Sequence, residues 1–450
     1  MSKVAVLGLG KAGLAAARHA LAAGDELTVY AGASAPALIE AAQPLQQAGA
    51  RVIFDCEQVE GPFDLCVASP GISANSAFYK SAQAASAELV GECEYAFRLS
   101  PQAWLAVTGT NGKTTTTALL AHLLNAAGML AYPCGNIGDT CTQSVEHRRA
   151  GETLVAEMSS YGLASTSRFA PQVAALLNIT PDHLSWHGSL QAYADAKLKV
   201  FQNMGPGNTA VICDEVPGCA QIAAQLRGRG VAVITVGSRI QGEDCAYERA
   251  DGMLCVEAQG CARELCRAGE LQIKGPHNVM NALAAAAAAL AYGCDAAGVA
   301  AGLRSFAPLE HRIEPCGSVD GVGYFNDSKA TNVDAVLVAL RAFPGQPVNL
   351  LLGGRDKGTD LAPLVEACKG PVARVFAYGE AAERFCAAFQ GSGIPLQRAA
   401  GMREAFACAS QAALPGEVVL LSPACASFDE FDSFNHRGEV FKGLVAALKA

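Results

Sequence analysis

Three times along the chain a short apolar run ends in a glycine turn. Val4–Leu7 runs into Gly8–Gly13, Leu105–Thr108 into Gly109–Gly112, and Val348–Leu352 into Gly353–Gly354. Similar runs alternate with Ala-rich stretches of helical character along nearly the whole sequence. Continuous apolar runs followed by helices are the pattern of strands buried on both faces, so the chain reads as α/β layers around parallel sheets. In such sheets ligands gather at the carboxyl ends of the strands, which places the three glycine turns first among candidate sites. A length of 450 residues, at roughly 150 per domain, independently points to three domains. Boundaries are expected near Leu99–Pro101 and near Pro308, giving 1–99, 100–308 and 309–450.

Composition narrows the class. With 51% hydrophobic and 17% charged residues the chain can bury sizeable cores. A formal charge of −9 argues against a non-specific coat for nucleic acid or anionic membrane, while leaving room for local cationic pockets. None of the 17 cysteines stands in a C-x-x-C spacing, so neither a zinc ribbon nor a disulfide framework is indicated. The start of the chain lacks the layout of a signal peptide, and the most apolar stretch, Ala282 to Cys294, is too short to span a bilayer. A reduced, cytoplasmic protein without membrane insertion is expected, with its cysteines acting as small core residues.

The first two glycine loops differ. Gly8-Leu9-Gly10-Lys11-Ala12-Gly13 fits G-x-G-x-x-G between strand and helix, where backbone N–H groups can hold a diphosphate. It also fits a tight turn that packs a helix on a strand. A nicotinamide site would want a carboxylate about 20 residues on, and the sequence there is Val29-Tyr30-Ala31-Gly32-Ala33. A nicotinamide oxidoreductase is therefore the weaker alternative. Thr108-Gly109-Thr110-Asn111-Gly112-Lys113-Thr114 ends as a phosphate-binding loop does: amides for the phosphates, a Lys for the terminal ones and a Thr for Mg²⁺. Glu157, closing the run Thr153–Ala156, suits a second Mg²⁺ ligand and equally a helix cap.

From here the motifs carry a resemblance. Gly109–Thr114 resembles the shortened ATP loop of the Mur ligases, the cytoplasmic enzymes that build the peptidoglycan stem peptide. Further matches follow in order: Gly135-Asn136-Ile137-Gly138, Glu157-Met158-Ser159-Ser160, Asp182-His183-Leu184, Ala196-Lys197-Leu198, Gly275–Ala282, His311-Arg312 and Asn326–Asn332. Together they span essentially the full length. Asn326–Asn332, Gly353–Gly358 and Leu421–Asp429 look like the branch that adds D-glutamate, and the Asp-Asn-Pro-Arg motif of the diaminopimelate-adding branch is absent. Another Mur ligase, or a relative of folylpolyglutamate synthase, is the alternative within the class.

The resemblance implies a Rossmann-like N-terminal domain for the UDP-sugar, a central P-loop ATPase-like domain with a mostly parallel sheet, and a Rossmann-like C-terminal domain for the amino acid. It implies ATP, two Mg²⁺ and a carbamylated lysine, with UDP-N-acetylmuramoyl-L-alanine and D-glutamate as substrates and a monomer as the working form. For ATP it marks Gly109, Thr110, Asn111, Gly112, Lys113, Thr114, Thr115, Asn281, Arg312 and Asp327; for metal, Thr114, Glu157, His183 and carbamylated Lys197. Lys113, Glu157, His183 and Lys197 form the implied catalytic set. For the UDP part it marks Gly10, Lys11, Ala12, Gly71 and Asn136, and for D-glutamate Lys329, Thr331, Lys357, Ser427, Phe428 and Phe434. Read unaided, Lys197 and Lys199 look like solvated helix residues, Asn281 like a helix-start cap, and the phenylalanines like core. One departure stands out: the Asp–Thr–Arg stretch that contacts uracil in relatives is Ala31-Gly32-Ala33 here. Three sites on three domains serving one reacting carbon imply domain closure.

Overall fold

The computed structural model describes residues 1–239, 243–258, 260–356 and 358–449. Among the described residues twenty strands form three sheets. The first contains β1 (Lys3–Leu7), β2 (Glu26–Ala31), β3 (Arg51–Phe54), β4 (Leu65–Ala68) and β5 (Leu89–Gly91). They are parallel throughout in the order β3-β2-β1-β4-β5. The chain reverses direction across β1, so the Gly8 turn sits at the switch point where a crevice opens.

The second sheet contains β6 (Trp104–Thr108), β7 (Ala131–Gly135), β8 (Thr153–Glu157), β9 (Val173–Leu176), β10 (Thr209–Cys213), β11 (Ala232–Gly237), β12 (Cys245–Glu248), β13 (Met253–Ala258) and β14 (Cys261–Arg267). Its order is β14-β13-β12-β11-β10-β9-β6-β8-β7, parallel from β7 to β12 and antiparallel at β13 and β14. β6 lies between β9 and β8, so the Gly109 turn also leaves from a switch point. The third sheet contains β15 (Glu314–Val319), β16 (Val322–Asn326), β17 (Val348–Gly353), β18 (Val372–Tyr378), β19 (Leu396–Arg398) and β20 (Val418–Ala424). Its order is β15-β16-β20-β17-β18-β19, with only β15 antiparallel.

The described residues pack as two compact units: Met1–Leu271 with Met280–Ser305, and Gln272–Val279 with Phe306–Ala450. Two sheets share the first unit because the helix Glu92–Leu99 belongs to both cores. Tyr95 packs with the first sheet, whereas Cys93, Ala96 and Phe97 pack with the second. Phe97 also meets Trp104 and Phe169 edge-on. Two acids on this helix are buried. Glu94 is fully buried and accepts from the backbone N–H groups of Ser167, Arg168 and Phe169, the Ser167 hydroxyl and Arg98. Burial pushes its carboxyl up, but Arg98 and those amides outweigh it and hold the group below its ordinary range. Glu92 accepts from Thr142 N at 2.6 Å. The Ala-rich stretch is the heart of the helix Pro276–Tyr292, whose Ala282–Ala289 segment is buried. No helix among the described residues is long and apolar enough to cross a membrane. All 17 cysteines are free thiols and only Cys261 is exposed, as expected for core residues.

Candidate active site

The Gly109–Thr114 loop joins β6 to the helix Lys113–Ala126, with Gly112 as N-cap at φ +82°. A Cβ at Gly112 would collide with Asn281 Oδ1, so glycine is required both for the left-handed turn and for the approach of the Asn281 side chain. The first half of the loop is braced from behind. Thr110 N and Asn111 N donate to Asn178 Oδ1 at 3.0 and 2.8 Å, and Asn178 Nδ2 donates back to Asn111 O at 3.1 Å. Thr110 Oγ1 accepts from Thr180 N and meets the Tyr193 hydroxyl, each at 3.0 Å. Asn178 is a residue that sequence reasoning missed; its one signal is a polar side chain just beyond the apolar run of β9. With those two amides committed to Asn178, the N-terminal turn from Gly112 onward is the part of the loop suited to phosphate oxygens. Lys113 Nζ reaches across to Thr110 O at 2.7 Å, Thr114 is half-buried and Thr115 buried.

β8 pairs with β6 in a register that sets Glu157 opposite Val107, two residues before the loop's first glycine. Glu157 is 2% exposed; its Oε1 accepts from Asn136 Nδ2 at 3.0 Å, and its Oε2 is buried with no hydrogen-bond partner. A carboxylate oxygen left this way is costly unless a cation meets it, which fits a Mg²⁺ ligand. The helix-cap alternative fails, because Ser159 caps the following helix. Asn281 is likewise no cap, lying inside Pro276–Tyr292.

Lys197 is the largest departure from the unaided reading. It is 1% exposed on the helix Leu190–Leu198, donates to Gly109 O at 2.6 Å and stands 4.6 Å from the centroid of the Tyr193 ring. Burial, reinforced by the charge of Lys113, pulls its ammonium down to about 6, against the opposing pull of Asp182 and Glu157. Lys199, read as solvated, is half-buried and donates to Ala164 O at 2.5 Å. His183 is exposed, at φ +53°, with its ring near Tyr161 and its Nε2 3.5 Å from Asp182 Oδ2. His187, unremarked in the sequence, is buried against Ser160 Oγ at 3.0 Å; burial and the neighbouring His183 and Lys197 charges lower its pKa.

On the first sheet, Gly10 is the N-cap of Lys11–Ala22, and nothing stands within 4 Å of where a Cβ would lie on Gly10 or Gly71. Lys11 is exposed and Ala12 half-buried. A Cβ at Gly13 would collide with Gly8 O, so this loop is both an open backbone surface and a close helix–strand contact. β2 ends at buried Ala31; Gly32 and Ala33 are exposed, with Glu57 Oε1 3.5 Å from where a Gly32 Cβ would lie.

Arg312, Asp327 and the amino-acid set belong to the second unit. Arg312 lies between two residues in the left-handed region, His311 at φ +61° and Ile313 at φ +46°. Such backbone costs of order 1–3 kcal/mol per residue and persists only where neighbours over-determine it. Here they do: His311 O accepts from Lys329 N at 3.1 Å, His311 Nδ1 meets Asn326 Nδ2 at 2.9 Å, and Asp327 Oδ1 accepts from Ile313 N at 3.3 Å. Ser422 Oγ donates to Asp327 Oδ2 at 2.7 Å. Burial raises the Asp327 carboxyl to about 7, despite Ser422 and Arg312 drawing it down. Arg312 also lines a cavity of about 150 Å³ with Lys274, Asn278 and Phe343. Lys329 Nζ stands 3.8 Å over the Phe434 ring, Thr331 N donates to Lys329 O, Ser427 is buried and Phe428 is 61% exposed. Phe434 opens the helix Phe434–Leu448, and its carbonyl accepts from Ser328 Oγ. Lys357 lies outside the described residues.

Three mostly parallel sheets with a phosphate loop at the switch point of the central one define an α/β, ATP-dependent enzyme. Comparison with known proteins makes that class particular. Residues 107–289 match the Mur ligase middle domain and 311–425 the Mur ligase, glutamate ligase domain. The chain belongs to the Mur ligase family and is an ADP-forming ligase. It is 39% identical over 452 residues to the UDP-N-acetylmuramoylalanine--D-glutamate ligase of Pelotomaculum thermopropionicum, covering 99% of this chain and 98% of that one. With the enzyme of the same name from Geobacillus kaustophilus identity is 36% over 454 residues, covering 99% and 98%. Among solved structures, MurF from Acinetobacter baumannii aligns with a TM-score of 0.64 at 18% identity, covering 98% of this chain and 93% of that one. MurC from Thermotoga maritima aligns at 0.61 and 18%, covering 99% and 100%. At that identity the structural likeness speaks for the fold.

Proposed function

We propose that the chain joins D-glutamate to UDP-N-acetylmuramoyl-L-alanine with ATP going to ADP and phosphate, in cytoplasmic peptidoglycan precursor synthesis. In this reading residues 1–99 take the UDP-sugar, 100–308 the ATP and 309–450 the amino acid. A carboxylate is a poor electrophile, so the L-alanyl carboxylate oxygen first attacks the γ-phosphorus and ADP leaves. The D-glutamate amine then attacks the acyl phosphate carbon, and the tetrahedral intermediate expels phosphate.

Each residue has a task in that sequence. The turn from Gly112 to Thr115 binds the phosphates, Lys113 carries the countercharge, and Gly109–Asn111 hold the loop's shape. Asn281, Arg312 and Asp327 take the adenosine and γ-phosphate side. Thr114 and Glu157 would hold one Mg²⁺, and His183 with carbamylated Lys197 a second. Bound Mg²⁺ would supply charge neutralisation between two approaching anions. The carbamate forms when neutral Lys197 Nζ adds to CO₂ and releases a proton, and a lysine lowered to about 6 is mostly neutral at pH 7. Gly10, Lys11, Ala12, Gly71 and Asn136 line the diphosphate and sugar. Lys329, Lys357 and Thr331, with Ser427, Phe428 and Phe434, receive the two carboxylates of D-glutamate. The working form is a monomer.

The observation that carries the reading is the orphaned Glu157 Oε2 beside the phosphate loop, within a chain that is 39% identical end to end to a D-glutamate ligase. Phosphate release from ATP should require both UDP-N-acetylmuramoyl-L-alanine and D-glutamate. Equal turnover with L-lysine or diaminopimelate would overturn the substrate assignment.

A further inference from the structure

Arg437, the fourth residue of the helix Phe434–Leu448, is fully buried. Its charge draws down the carboxyls of Asp327 and Glu430, but among the described residues neither makes a hydrogen bond to it. Its guanidinium is spent on backbone and hydroxyl oxygens instead. Nε donates to Ser328 Oγ at 2.9 Å and Nη2 to Ser328 O at 2.8 Å, while Nη1 and Nη2 both donate to Cys425 O at 3.1 Å. Ser328 Oγ passes the connection on to Phe434 O at 2.8 Å. A Cβ on Gly354 would stand 3.1 Å from Nη1, so the turn after β17 also packs on the same group.

The chain segments joined here are the ones that carry the proposed amino-acid ligands. Ser328 precedes Lys329 and Thr331 just beyond β16, and Cys425 precedes Ser427 and Phe428 just beyond β20, its parallel neighbour. Burying a charge without an ion pair is expensive, and an apolar residue of similar volume commonly serves stability as well or better. What a guanidinium supplies and an apolar side chain does not is a planar fork of donors in fixed geometry.

We propose that Arg437 is a positioning residue for the amino-acid substrate. Its fork fixes the spacing between the Ser328–Thr331 and Cys425–Phe428 segments, and so between the groups that take the two carboxylates. The proposal rests on the D-glutamate reading above.

The test uses the full chain carrying Arg437→Lys, with Ser328→Ala as a milder variant that deletes the Nε acceptor and the link to Phe434. Lysine keeps the charge and loses the fork. KM for D-glutamate should rise roughly tenfold to a hundredfold in Arg437→Lys, as expected for a displacement of about 1 Å, with KM for ATP within about twofold of the parent. Thermal melts establish that each variant is folded, and Ser328→Ala decides by the same split if Arg437→Lys does not fold. An unchanged KM for D-glutamate in a folded variant, or equal rises for D-glutamate and ATP, overturns the proposal and leaves Arg437 a core residue. A parent chain that ignores D-glutamate but turns over another amino acid overturns the substrate reading instead, and the KM split is then measured with that amino acid.

Discussion

Lys197 Nζ donates a 2.6 Å hydrogen bond to the carbonyl of Gly109, the first glycine of the phosphate loop. One buried amine thus touches the loop proposed to bind ATP, and burial lowers its pKa to about 6, toward the neutral amine at physiological pH. Lys197→Ala should lose about 100-fold or more in turnover, the scale of deleting one charge-stabilising group. A short carboxylic acid such as acetate should restore part of it by standing in for the proposed carbamate. Parent-like turnover in the untreated variant would remove the carbamate from the account.

The same burial makes a stability prediction of opposite sense. Between about 6 and the ordinary lysine range the unfolded chain holds a proton at Lys197 that the folded chain does not, so this residue's cost grows as pH falls through that window. Lys197→Met should therefore melt higher than the parent near pH 7, with the gain shrinking toward pH 10. Melting curves at three pH values suffice, and a gain independent of pH would assign it to packing alone.

Much of this was readable in advance, and the misses share a cause. Glycine turns and apolar strands announce themselves because their physics is local: a strand end and a loop are defined by adjacent residues, whereas Glu157 at its strand end reads equally as metal ligand and helix cap. Lys197, Arg437, Glu92 and Glu94 were not legible from their neighbours, because each is an ionisable group buried by partners far off in sequence. Glu94 is satisfied by amides 73 to 75 residues away, and Arg437 by carbonyls 12 and 109 residues away. Lys197 came only through family resemblance; its own helix, Leu-Gln-Ala-Tyr-Ala-Asp-Ala-Lys-Leu, has no clear polar face to betray which side is buried.

Glu94 lets that point be tested. Its carboxyl is held below the ordinary range, so its stabilisation is fully present above about pH 4.5 and disappears as pH falls through the lowered value. Glu94→Gln keeps the shape and loses the charge, and should cost about 2–3 kcal/mol at pH 7, as charge-assisted hydrogen bonds do. Denaturant titrations should show the difference narrowing as pH falls below the ordinary glutamate range. A gap of constant size across pH would mean that shape, rather than charge, is what the three amides recognise.

Asn178 separates loop shape from phosphate charge. Asn178→Ala strands the Asn111 amide and leaves Thr110 N only the main-chain carbonyl of residue 178, which costs about 1–3 kcal/mol where the Asn111 amide stays buried, and should raise KM for ATP roughly tenfold as the loop loosens. Asn178→Asp keeps the acceptor for Thr110 N and Asn111 N, loses the donor to Asn111 O, and sets a negative charge behind the proposed phosphate site. It should melt closer to the parent than the alanine variant yet bind ATP at least as poorly. Equal ATP affinity in Asn178→Asp and the parent would show that this side chain does not sense the nucleotide.

Asp327 should display a conflict between stability and activity. Its carboxyl is raised to about 7, so from roughly pH 4 to 7 the folded chain binds a proton that the unfolded chain has released, and stability falls as pH rises through that window. Asn at this position satisfies the same partners without charge: its oxygen accepts from Ile313 N, and its amide donates to Ser422 Oγ. Asp327→Asn should therefore melt higher than the parent at pH 8 and about equally at pH 4. Its turnover should fall at pH 8, where the parent is ionised beside Arg312. The parent's own rate should decline below about pH 7 as Asp327 takes up its proton, and the variant's rate should lose that acid limb. A variant that keeps the limb would place the controlling ionisation on another group.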